Sequence, residues 1–207
     1  MELLKNIIYI NLDKRTDRKE HVENELKKIG ITNSKRFSAI ELEHGALGCT
    51  YSHIACLNYA IENDLDMICI CEDDITFLDS SKFIDSLTKF NETVKDWDVL
   101  FLGGNNFKPF EEINDVCIKI HNCNCSTGYI VKKHYYRKLL NNLIEGSYFF
   151  KYSRAHWLYA LDVYWKTLQK VDNWYLLIPI NVTQYANFSD IEKRDTDYTN
   201  DILKIDK

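Results

Sequence analysis

Glu72, Asp73 and Asp74 stand side by side at the end of an apolar run, Met67-Ile68-Cys69-Ile70-Cys71, that is short enough to be one buried strand. In open α/β sheets ligands gather beyond the carboxyl ends of the strands, so acids emitted there meet a crevice and not bulk water. Adjacent carboxylates repel one another, and a hard divalent cation with oxygen ligands, Mn²⁺ or Mg²⁺, relieves that repulsion. If the backbone stays extended, side chains alternate, which makes Glu72 and Asp74 the metal-facing pair and turns Asp73 the other way. The competing reading is a solvated turn in which Asp73 or Asp74 caps the next helix. Ile75 and Phe77, directly downstream, argue against an open surface loop.

A further acid, Asp162, sits inside the aromatic-rich stretch Ser147 to Trp165. A half-buried carboxylate is raised in basicity, which suits a general base. Its plainer roles are a helix N-cap or an ion pair with Lys166. Most of the rings around it belong to a core, with one or two exposed ones available to stack on a sugar's apolar face. Arg15 and Arg18, in the turn after the first apolar run, could reach a pyrophosphate, and Asn11 or Asp13 could read a base or ribose. The alternative is that both arginines only solvate a helix start. Ser52 and His53 are adjacent, but neighbouring helical residues project about 100° apart and cannot pair as nucleophile and base. A buried hydrogen-bonding role suits His53 better.

These residues need strands and helices to hold them. Asn6 to Leu12 is β-branched and apolar, as a central strand should be. A helix follows to Ile29, with Val22, Leu26 and Ile29 as its buried stripe, Asp17 and Glu20 resembling a capping box, and Gly30 as its stop. Lys35 to Ile40 is a short strand, Gly45 to Thr50 a loop, and Tyr51 to Asn63 a helix with Ile54, Leu57 and Ile61 inward. After the acids, Ser80 or Ser81 caps a helix to about Asn91. Asp98 to Leu102 is a buried strand ending at Gly103-Gly104, where paired glycines imply a close approach to the backbone. Val116 to Ile120 and Thr127 to Val131 are strands, Lys132 to Ile144 an amphipathic helix, and Tyr175 to Ile178 a last strand before a polar tail, 189–207, draped on the surface.

The chain has 207 residues, 45% of them hydrophobic and 13% aromatic, with two prolines and seven glycines. That describes one compact domain, residues 1–207, with little linker. A formal charge of −5 argues against nucleic acid as a partner, since phosphate binding needs a basic face. No apolar run approaches the ~20 residues of a membrane span, and the N-terminus lacks a secretory plan, so the expected location is cytoplasmic. Seven cysteines without a CxxC pair fit buried free thiols in a reducing compartment. The sequons beginning at Asn91, Asn124, Asn181 and Asn187 then read as chance matches.

Taken in order, INLDKRTDR (Ile10 to Arg18), RFSAI (Arg36 to Ile40), ALGCTYSH (Ala46 to His53), ICEDD (Ile70 to Asp74), LFLGG (Leu100 to Gly104), STGYIVKK (Ser126 to Lys133), LDVYW (Leu161 to Trp165), Gln184 and SDIEKRDTDY (Ser189 to Tyr198) resemble glycosyltransferase family 25. That family includes lipopolysaccharide-type bacterial glycosyltransferases and collagen hydroxylysine galactosyltransferases. The resemblance covers nearly the whole chain. It implies an α/β fold of GT-A type, Rossmann-like, with a mixed central sheet flanked by helices. It also implies a UDP-linked sugar donor, a divalent metal (Mn²⁺ or Mg²⁺), and inversion at the anomeric carbon.

On this resemblance Glu72, Asp73 and Asp74 fall on the DxD-type acidic motif, with Glu in place of its first Asp. Asp162 falls on the family's Asp, although Ala160-Leu161 replaces the usual preceding dipeptide. The donor-binding set becomes Asn11, Asp13, Arg15, Arg18, Ser38, Ala39, His53 and Asp73. The acceptor-side candidates are Gly104, Asn105, Trp157, Gln184 and Ser189. The implied reaction moves a hexose, galactose or glucose, to a hydroxyl of a glycan, lipid-linked glycan or hydroxylated protein. Two other readings stay open: a sugar-nucleotide or glycan binding module of the same fold without transfer, and a metal-dependent phosphohydrolase.

Overall fold

The computed structural model describes residues 2–207. The first half of the chain alternates strand and helix: β1 (Ile7–Asn11), α1 (Thr16–Lys28), β2 (Lys35–Ser38), α2 (Gly45–Glu62), β3 (Met67–Glu72), β4 (Ile75–Phe77) and α3 (Ser80–Thr93). There follow β5 (Val99–Asn106), β6 (Phe110–Asn114), β7 (Cys117–Ile120), β8 (Cys123–Lys132) and α4 (Tyr136–Ser153). The chain ends through short helices α5 (His156–Tyr159), α6 (Leu161–Tyr164) and α7 (Lys166–Gln169), then β9 (Trp174–Leu177), β10 (Val182–Gln184), β11 (Asn187–Ser189), β12 (Arg194–Thr196) and α8 (Thr199–Ile202).

The main sheet runs β2-β1-β3-β8-β5-β9-β7-β6. Its β1 is parallel to β2 and β3, whereas β8 lies antiparallel between β3 and β5. This is the expected mixed sheet flanked by helices. Apolar residues on both parities of the central strands require a helix layer on each face. Ile7, Tyr9, Cys69, Cys71, Leu100 and Leu102 pack with Val22 and Leu26 of α1 and Phe83, Leu87 and Phe90 of α3. Ile8, Ile10, Ile68, Ile70, Val99 and Phe101 pack with Cys56, Leu57 and Ala60 of α2 and Leu139 and Leu143 of α4. Glu72 carries the even parity of β3 one residue further, so it emerges on the α2 side of the sheet. No described helix is long and apolar enough to cross a membrane.

Several local expectations are corrected. Helix α2 begins at Gly45, not near Tyr51. A glycine in this stretch that reads as a loop signal is there for clearance, because a methyl group at Gly48 would overlap the Ile40 carbonyl oxygen. Replacing Gly48 with Ala should therefore lower stability by about 1–3 kcal/mol, an overpacking cost. A urea titration checks this, and an unmoved midpoint would mean that the Ile40 segment gives way freely. The Asp17–Glu20 capping box is absent: Arg15 holds the N-cap position without a side-chain cap. The Asp17 carboxylate is instead taken by the Arg15 guanidinium at 2.9 and 2.8 Å. Helix α3 is capped by Asp79, which accepts the Lys82 N–H at 3.0 Å, in place of Ser80 or Ser81.

Strand β5 does not stop at Gly103-Gly104 but continues to Asn106. What comes close there is the protein itself, the Val182 carbonyl over Gly103 and Cys123 Sγ over Gly104. Nor is β9 the last strand. The segment after it makes β10, which pairs antiparallel with β4, and the hairpin β11–β12.

Candidate active site

A cleft of about 490 Å³ opens where β1 and β3 end and β8 begins. Glu72, Asp73, Asp74 and Asp162 all line it, together with Asn11, Arg15, Arg18, Ala39, Asn105, Gln184 and Ser189. Asp13, Ser38, His53, Gly104 and Trp157 lie outside the lining. Asp13 is engaged on the surface by Arg36 at 2.5 Å and by the Ser38 hydroxyl at 2.8 Å. Gly104 is packed under Cys123, Trp157 is 64% exposed, and His53 is buried behind Glu72.

The acidic triplet does not alternate as an extended strand would. β3 ends at Glu72, and Asp73 and Asp74 form the turn into β4. The expected Glu72–Asp74 pair is therefore replaced by an Asp73–Asp74 pair on one guanidinium, with Arg18 Nη1 at 2.9 Å from Asp73 and 3.4 Å from Asp74. Asp73 also accepts from Asn11 Nδ2 at 2.7 Å. Glu72 goes the other way: it accepts the Ser126 hydroxyl and lies 3.5 Å from His53 Nε2.

The electrostatics follow from depth. Burial pushes the Asp74 carboxyl up to about 8, Glu72 and Asp73 adding to the rise and Arg18 opposing it. Asp73 is also raised by burial, against the pull of Arg18 and Asn11. For Glu72 burial is again the largest influence, but His53, Ser126 and Arg18 together outweigh it and hold the group below its ordinary value. Asp162 lies in the first turn of α6, where its Oδ2 accepts the Cys125 N–H at 3.1 Å. Burial raises it despite that bond.

Arg15 is turned away from the acids. Its Nη1 donates to the Phe188 carbonyl at 2.9 Å and to Asp190 at 2.5 Å, and Lys14 reaches the same Asp190 at 3.3 Å. The polar segment after β10 is thereby fastened as a wall: Ser189, Asp190, Ile191, Glu192, Lys193, Thr196, Tyr198 and Ile202 all line the cleft. Arg15→Ala should release the β11–β12 hairpin, speeding amide hydrogen exchange across Asn187 to Thr196 by about tenfold or more while β1 and β3 stay protected. Unchanged exchange there would show that the hairpin is held by its other contacts.

Sequence reasoning assigns Cys49, Asn124, Ser126 and Asp190 no role, yet each faces the cleft. Ser126 stands two residues before a glycine that β3 and β5 both neighbour. That pairing has no sequence signal.

The family model for glycosyltransferase family 25 (LPS biosynthesis protein) matches residues 32–157. This chain belongs to glycosyltransferase family 25. Its matched part carries the acidic triplet and stops short of Asp162. No curated protein sequence matches the chain. Among solved structures, A197 from STIV is similar at 17% identity over 93% of each chain, with a TM-score of 0.52, and shares the fold. A glycosyltransferase involved in glycosylation of the major capsid of PBCV-1 matches at 12% identity over 84% of this chain and 93% of that one, TM-score 0.43. A Drosophila galactosyltransferase in complex with manganese, UDP-Gal and xylobiose matches at 14% identity over 66% of this chain and 52% of that one, TM-score 0.37.

Proposed function

We propose that this family 25 glycosyltransferase moves a hexose, galactose or glucose, from a UDP-linked donor to a hydroxyl of a glycan or hydroxylated protein, with inversion and with the help of a divalent cation. The observation that carries this reading is the convergence of Asp73, Asp74, Arg18 and Asp162 on one cleft. Departure of a nucleoside diphosphate needs positive charge where negative charge grows. Attack by a hydroxyl needs a carboxylate able to take its proton.

The residues fit a hard cation. Asp74 Oδ1 is buried with no hydrogen-bond partner, and Oδ2 has only long contacts, 3.4 Å to Arg18 and 3.5 Å to Gln184. A buried carboxylate so poorly satisfied takes either a proton or a metal ion. Asp74, with Asp73 beside it, would hold Mn²⁺ or Mg²⁺, and Glu72 is left out because it points the other way, toward His53 and Ser126. When bound, the ion supplies Lewis-acid stabilisation of the departing diphosphate. Arg18 bridges both aspartates and offers its guanidinium to a phosphate oxygen at the same place. Asp162, raised by burial, holds the acceptor hydroxyl and takes its proton as the new glycosidic bond forms.

The test is a thermal-shift and calorimetric panel of nucleotide sugars with and without Mn²⁺, followed by nucleoside diphosphate release from the best binder. A UDP-hexose that binds only with Mn²⁺ and releases UDP in step with glycosylated product is the expected result. Release of inorganic phosphate from simple esters, with no sugar transferred, would replace this reading with a phosphohydrolase.

A further inference from the structure

We infer that Cys49, His53 and Glu72 form a separate site for a thiophilic divalent cation, Zn²⁺ in the first place, beside the hard-cation site proposed for Asp73 and Asp74. Cys49 and His53 are four apart on α2, so both side chains leave the same face of the helix. Glu72 comes off β3 on that side. One ligand atom from each, Sγ, a ring nitrogen and a carboxylate oxygen, lie within 4.8 Å of one another.

The contacts among the three are long, and Glu72 Oε1, which also accepts the Ser126 hydroxyl, is common to both of them. Glu72 Oε1 is 3.5 Å from His53 Nε2 and 3.9 Å from Cys49 Sγ. A tetrahedral Zn²⁺ with ordinary bond lengths would set these edges at about 3.4 and about 3.6 Å. Independently, His53 is fully buried and its Nε2 has no hydrogen-bond partner. Leaving that atom bare costs free energy that a metal ion would return.

The other face of the ring is already arranged for ligation. His53 Nδ1 lies 2.7 Å from Tyr129 Oη, and in the tautomer in which Nδ1–H donates to the phenol the Nε2 lone pair is free for a metal ion. On binding, the Cys49 thiol gives up its proton to solvent, and one thiolate, one carboxylate and a neutral imidazole then balance the charge of the ion. Cys49 and Glu72 line the cleft. The fourth position therefore opens to it, as in sites where water or a bound ligand completes the tetrahedron.

The test uses the full chain with Zn²⁺, and with Co²⁺ as a spectroscopic stand-in. The expected result is one equivalent of Zn²⁺ bound and a thiolate-to-metal charge-transfer band with Co²⁺. Cys49→Ala should abolish the band and weaken Zn²⁺ by about 100-fold or more, while Cys125→Ala keeps both. Should the Cys49 variant fail to fold, alkylation with peptide mapping answers the same question, since Zn²⁺ should shield Cys49 in the unmodified chain. A Co²⁺ adduct without thiolate character, equal zinc affinity in folded Cys49→Ala, or unslowed alkylation of Cys49 would overturn the inference. Asp74→Asn separates the two sites: it should lose Mn²⁺ and retain Zn²⁺. Absence of Mn²⁺ binding with zinc held at Cys49 defeats only the donor-site reading, and the reverse defeats only this one.

Discussion

Asp162→Asn is expected to cut sugar transfer by about 10²–10⁴-fold, the usual worth of a positioned general base, while calorimetric binding of UDP-sugar and Mn²⁺ stays close to that of the unmodified chain. The substitution suits the purpose because Asn keeps the shape and an acceptor oxygen for the Cys125 N–H, the 3.1 Å bond that ties α6 to β8. What it removes is the ability to take a proton. Loss should appear equally in kcat and kcat/KM, the pattern of an interaction made only in the transition state. The unmodified enzyme should gain activity with rising pH through an Asp162 pKa that burial holds above the ordinary carboxylate range. Undiminished product formation by the Asp162→Asn variant, followed by mass spectrometry, would take the base role away from this residue.

The parts of this arrangement that can be read from sequence are those set by short-range pattern. β1, β3 and β5 are legible because apolar residues fill both parities, which only a sheet covered on each face can bury. The position of the acids at a strand end is legible for the same reason. Their directions are not: the alternation rule holds through Glu72 and fails at Asp73, where the chain turns toward β4. Gly45 to Thr50 read as loop on propensity, and tertiary contact overrides that prior where Gly48 lies against the Ile40 carbonyl. The three-residue strands β4, β10, β11 and β12 are too short to show a period.

Long-range pairings stay hidden altogether. Nothing near Arg15 announces Asp190 as its partner, because the contact depends on the hairpin's return across the cleft. Asp17, two residues on, reads as a helix cap and is in fact the other half of that arginine's coordination. Both pairings stay hidden for one reason. Arginine's planar fork satisfies several acceptors at once, and the sequence shows only which acceptors lie nearby in the chain.

Asp74→Asn should produce effects of opposite sign on stability and on function. In the folded chain the Asp74 carboxyl is pushed up to about 8 from an ordinary value of 3.8. Below about pH 4 it is protonated in both states, and its neutral form sits in the fold at full advantage. As the pH climbs through the interval up to about 8, the unfolded chain ionises first, so the metal-free fold loses stability steadily. Above about 8 that loss is complete. Asn cannot ionise, so the metal-free variant should match the parent at low pH and exceed it near pH 9 in urea titrations. Adding Mn²⁺ should reverse the order. At a hundredfold excess over its Kd the ion stabilises the parent by about 2.7 kcal/mol and leaves the variant unmoved. Transfer by the variant should fall by about 10²–10³-fold, the scale of losing one charge-stabilising element at a developing anion. A variant less stable than the parent at every pH would mean that Asp74 is held ionised by Arg18, and equal Mn²⁺ stabilisation of both proteins would place the cation elsewhere in the cleft.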